Sequence, residues 1–77
     1  METKEKLEKL LPHWVDHNKA HALSYNEWAE KAKEDSMEGV SEKIFEAIDL
    51  IAKANDALIE AMNIAGIKNP TSNDSEG

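Results

Sequence analysis

The residues of this chain best suited to chemistry are its three histidines. All fall in one nine-residue stretch, His13-x3-His17-x3-His21. Residues four apart stack on one face of a helix. Two imidazoles so placed can chelate one metal ion, and imidazole suits zinc, nickel, copper and iron. A transition metal ion of the Zn or Ni class is therefore the cofactor to consider, with His13, His17 and His21 as its candidate ligands. Helix geometry limits how many can share one ion. Eight residues of helix span about 12 Å, and each four-residue step drifts about 40° around the axis. The spacing therefore allows two chelating pairs, His13/His17 and His17/His21. Either supplies only two ligands, and zinc sites want three or four from protein and water. The others would come from solvent, another chain, or carboxylates such as Glu5, Glu8 or Asp16. Helical metalloprotease sites also space two histidines by four, but they place a glutamate after the first. Here Trp14 follows His13, so that motif is absent.

The same row also has a structural interpretation. On a helical wheel His21 shares the stripe of Trp14 and Tyr25, His17 lies at its edge, and His13 points to solvent. Asn18 and Asn55 are polar residues inside apolar stripes, and a turn near residue 35 brings them within about a helical turn of each other. A buried asparagine in a helical seam fixes register or oligomer state at some cost in stability. His21, Asn18 and Asn55 are expected to form such a network. Histidine titrates near neutral pH, so a pH switch is a third use of the row. Nothing else points to catalysis. There is no cysteine, which removes disulfides, thiolate metal sites and thiol nucleophiles together. The chain has no glycine-rich phosphate loop and no Glu-x-x-His pair of the di-iron type. Its hydroxyls show no triad pattern. The chain is not expected to be an enzyme.

Helices must position these residues. The expected fold is all-α, an antiparallel helical hairpin with a short N-terminal helix, dimerising into a helical bundle. Leu7, Leu10 and Leu11 place a short helix over residues 3–11. Proline is tolerated at a first helical position, so Pro12 predicts a break and a new start. A second helix follows over 13–35, with a seam of Trp14, Asn18, His21, Tyr25, Trp28 and Ala32 at heptad spacing. Asp35 and Glu38 resemble a capping box for a third helix over 37–65. Its stripe is Val40, Ile44, Ile48, Ile51, Asn55, Leu58, Met62 and Ala65. Ala47, Leu50, Ala54, Ala57, Ala61 and Ile64 add an apolar strip on one flank. That arc is too wide for one neighbour, so a further helix or a second copy should cover it. Gly66 is placed to cap the helix. Residues 1–66 form a single helical domain, and residues 67–77 read as a disordered tail.

Composition agrees. At 77 residues the chain is one domain, with 40% apolar and 32% charged residues, as in a soluble helical protein. Chains this short bury little surface and need a staple or a partner. The net charge of −7 repels phosphate, so neither nucleic acid nor an anionic membrane is an expected partner. Self-association or a protein partner is. No run approaches a membrane span, and METKEKLEKLL lacks an apolar signal core. A cytoplasmic location is the expectation. The function expected is a small helical interaction or assembly module, with metal binding through the histidine row as the alternative.

The run from Leu11-Pro12-His13-Trp14 through His17-Asn18 to His21-Ala22, followed by Glu27-Trp28-Ala29-Glu30-Lys31-Ala32, resembles a group of small prokaryotic helical proteins of unknown function. They share a Leu-Pro-His-Trp-x-x-His-Asn-x-x-His-Ala core ahead of a helix rich in alanine and glutamate. The resemblance spans about residues 5–65 and implies that His13, His17, His21 and Asn18 act as a unit.

Removing residues 69–77 is expected to leave the thermal midpoint unchanged, because few apolar groups there could pack. Calorimetry of the truncated chain checks this, and a midpoint lower by many degrees would refute it.

Overall fold

The computed structural model describes residues 2–68. Over that range the chain is two α-helices, α1 (Glu2–Glu34) and α2 (Glu38–Ala65). Val15 and Asn18 meet Asn55, while Leu11 and Val15 share a cluster with Met62. Early residues of α1 thus lie against late residues of α2, which makes the pair an antiparallel hairpin.

The expected break at Pro12 does not occur. α1 runs through it for 33 residues, so the helices read over 3–11 and 13–35 are one, and no separate N-terminal helix occurs among the described residues. Proline removes one hydrogen bond, to the carbonyl four residues earlier. That carbonyl belongs to Glu8, an exposed residue whose backbone water can reach. Leu7, Leu11 and Val15 continue one face across the proline into the core. Their burial favours keeping the helix straight through a residue that would end it in isolation.

The face that α1 turns to α2 is also not the one expected. Its buried residues are Leu11, Val15 and Ala29, with Leu7, Asn18, Ala22 and Ala32 half-buried. Trp14, Tyr25 and Trp28 lie beside this face and are 41%, 39% and 58% exposed. The two stripes sit about half a helical step apart. The inner one carries alanines, which let the axes approach closely. On α2 the expected stripe holds from Ile44 to Ala65, with Asn55 and Met62 buried. Its first member differs, for Val40 is 47% exposed and Ser41 is buried in its place.

The turn is built from backbone bonds. The Ser36 amide donates to the Lys33 carbonyl (3.1 Å) and the Met37 amide to the Ala32 carbonyl (2.8 Å). These two bonds form a Schellman closure at the end of α1. Ser36 occupies its left-handed position with φ 66°. The expected Asp35 cap is therefore not used. Met37 precedes α2, which has no side-chain cap bond. The same closure recurs at Gly66, φ 74°, where the Ile67 amide reaches the Met62 carbonyl at 2.8 Å. Ile67 folds back into the core and is buried, which moves it from the expected tail into the domain. Residues 69–77, read as disordered, lie outside the described residues.

A left-handed residue with a Cβ is strained, and glycine relieves the strain. Ser36→Gly is expected to raise the unfolding free energy by about 0.5–1 kcal/mol, read by urea denaturation. An unchanged or lowered midpoint would show that the Ser36 side chain contributes more than its backbone strain.

Candidate functional site

Two polar groups interrupt the seam between the helices. The Asn18 side-chain amide donates to Asn55 Oδ1 at 2.9 Å, and the Asn55 amide donates to the Val15 carbonyl at 3.2 Å. Asn55 is 7% exposed, and its bond to Val15 is buried while the one from half-buried Asn18 is partly so. No buried side-chain polar atom among the described residues lacks a partner. The expected asparagine contact is present, but His21 is not part of it.

The three histidines are all exposed. His21 does not pack in the seam, because the seam passes through Asn18 and Ala22 instead. His17 and His21 converge. Their rings stand nearly perpendicular, 83°, with centroids 4.4 Å apart, and their Nε2 atoms are 2.9 Å apart. His13 lies differently. Its ring stacks on His17 at 5.8 Å with the planes 25° apart, so it runs alongside and does not converge. Tyr25 continues the ladder, 5.9 Å from the His21 ring. Among the described residues no group of three or more histidines, aspartates and glutamates comes together as a metal site.

The ladder borders a groove. Tyr25 and Trp28 of α1 face Val40, Lys43, Ile44 and Ala47 of α2 across an apolar depression of ≈ 690 Å³. Seven-residue steps return to the same side of a helix. They put His21 and Trp14 on the same side of α1 as Trp28, and Ala54 and Ala61 on the same side of α2 as Ala47, beyond the depression itself. Farther out on α2, Leu50 is 57% and Ile64 86% exposed. The Lys31 ammonium sits 4.4 Å from the Trp28 ring centroid. Sequence reading did not single out Lys31, although its position three residues after Trp28 is a pairing signal on a helix.

A family model described as a domain of unknown function (DUF8180) matches residues 7–65. The chain belongs to this family. The matched span contains both asparagines, the histidine ladder and the groove, and it leaves out Ile67. No curated protein and no solved structure matches the chain. No helix among the described residues is long and apolar enough to cross a membrane.

Asn18→Ala would leave buried Asn55 Oδ1 without its donor, at an expected cost of about 1–3 kcal/mol. His21→Ala removes only an exposed contact and should change stability by under about 0.5 kcal/mol. Urea melts of both variants test this ordering, and equal losses would tie His21 to the core.

Proposed function

We propose that the chain is a helical assembly module that pairs with a second copy of itself through the tryptophan- and alanine-walled groove, giving a four-helix core. The observation that carries this is the amount of apolar surface the hairpin leaves exposed, part of it gathered in one groove. Trp14, Trp28, Val40, Leu50 and Ile64 are 41% exposed or more, and Trp28 and Val40 line the groove with Tyr25, Ile44 and Ala47. Monomers rarely leave contiguous apolar patches of this kind uncovered. What the hairpin buries for itself is small. Its tight cluster is Leu11, Val15, Met62 and Ile67, at one end of the molecule. A chain of this length needs more buried surface than that to offset its conformational entropy.

The groove suits a helix. Ala47 keeps the α2 wall low, and Trp28 and Tyr25 raise the α1 wall. A second hairpin turned about a two-fold axis can set its tryptophan wall over the first one's alanine wall, and the reverse. Both apolar walls are then covered by one operation. The module carries no chemistry of its own in this role. Its net charge of −7 opposes pairing, so added salt should tighten it.

Light scattering at high micromolar concentration should give about twice the 8.6 kDa chain mass, rising toward that value with salt. Ala47→Glu places a charge on the wall of the groove and should return the mass to that of one chain. A folded wild-type monomer at high concentration would overturn the proposal.

A further inference from the structure

We infer that His17 and His21 form a two-nitrogen chelate for a divalent transition metal that prefers square-planar or tetragonal coordination, Cu²⁺ or Ni²⁺. Neither His17 nor His21 lines the groove between Tyr25, Trp28, Val40 and Ala47, and the inference does not draw on it. It rests on the way the two rings meet. Their Nε2 atoms approach to 2.9 Å. A metal–nitrogen distance of about 2.0–2.1 Å with a right angle at the ion places neighbouring nitrogens about 2.9 Å apart. A tetrahedral angle at the same distance requires about 3.3 Å, which two exposed side chains also reach by rotation, so the choice of Cu²⁺ or Ni²⁺ over zinc rests on the general affinity order. Helix α1 holds both backbones at this spacing, so the ion demands only rotation of two exposed side chains.

In the neutral pair one Nε2 carries hydrogen and donates to the other, whose hydrogen is then on Nδ1. Metal binding needs both Nε2 lone pairs. The donor ring moves its hydrogen to Nδ1 through solvent, and no net proton leaves the pair. Both Nδ1–H groups then serve as outward donors, as in many ligating histidines. His13 is excluded from the ion, because its ring stacks on His17 and does not converge with the pair. With no third histidine or carboxylate gathered at the pair among the described residues, water fills the other positions.

The chelate exists only where residues 17 and 21 are helical, so an ion bound there stabilises the folded chain. Titration calorimetry with Cu²⁺, Ni²⁺ and Zn²⁺ in a non-coordinating buffer at neutral pH tests the site. Cu²⁺ should bind tightest, as the general affinity order requires. His17→Ala and His21→Ala should each weaken Cu²⁺ by at least about tenfold, since losing even a supporting group of a ligand costs that much. His13→Ala should keep wild-type affinity. Electron paramagnetic resonance of the Cu²⁺ form should show two equatorial imidazole nitrogens. The double variant His17→Ala/His21→Ala supplies the baseline for any ion held by the chain terminus. All three residues are exposed, so the variants are expected to fold, which circular dichroism checks. The inference is overturned if wild type binds no tighter than the double variant, or if His13→Ala loses as much as His21→Ala.

Discussion

Once Asn55 is buried between two helices, its amide must find partners, and that requirement governs the hairpin. A buried amide without hydrogen bonds costs more than the packing of one apolar residue returns. Asn55 meets the need by accepting from Asn18 and donating to the Val15 carbonyl. The two partners are three residues apart on one face of α1. Satisfying both bonds therefore sets how far α1 slides along α2 and how it is rotated. A slip of one turn would leave both asparagines unpaired in an apolar seam. The apolar contacts tolerate such slips far better, because leucine, isoleucine and alanine stripes pack in several registers.

That rotation decides what faces outward. With Leu11, Val15, Asn18, Ala22 and Ala29 turned inward, Trp14, His21 and Trp28 are carried to the flank. The flank lies on the same side of the hairpin as the alanine strip of α2, and the groove between them is lined by Tyr25, Trp28, Val40 and Ala47. The polar clamp in the seam thus creates the apolar surface outside it. It also frees the histidines. Had α1 packed through its aromatic stripe, His21 would have been covered. Instead it meets His17 at the edge of the groove, with both rings open to solvent.

The ends of the helices depend on backbone closure more than on side chains. Both close by the same pair of bonds around a left-handed residue, Ser36 in one case and Gly66 in the other. At Gly66 the closure has a packing consequence. It turns the chain so that Ile67 covers Met62 and joins the cluster with Leu11 and Val15. This cluster holds the hairpin at its open end, opposite the turn. Between it and the turn, Ala29 and Ser41 are buried, and both are too small to build a large core. The middle and the turn end are where a second layer of helices would add most.

Much of this was legible in the residues alone. Two long apolar periodicities, a turn near residue 35, the glycine cap and the pairing of Asn18 with Asn55 all follow from local spacing and the length of a hairpin. The stretch His17-x3-His21 is likewise local, because four residues of helix bring two side chains together wherever the helix lies. What spacing could not choose was the face of α1. Its aromatic stripe and its alanine-bearing stripe are both apolar and about half a helical step apart, so either satisfies periodicity. Only contact with α2 selects the smaller stripe, through close approach at alanine and the bonds that Asn55 requires. Pro12 was decided the same way. Its local preference is to end a helix, and the burial of Leu7, Leu11 and Val15 on one continuous face outweighs that preference. Ile67 lies past the cap in a polar run, and its only local sign of burial is its place right after Gly66, where an apolar residue often folds back on the last turn of the helix. The chain reversal at Gly66 places it against Met62, and that placement exists only in three dimensions.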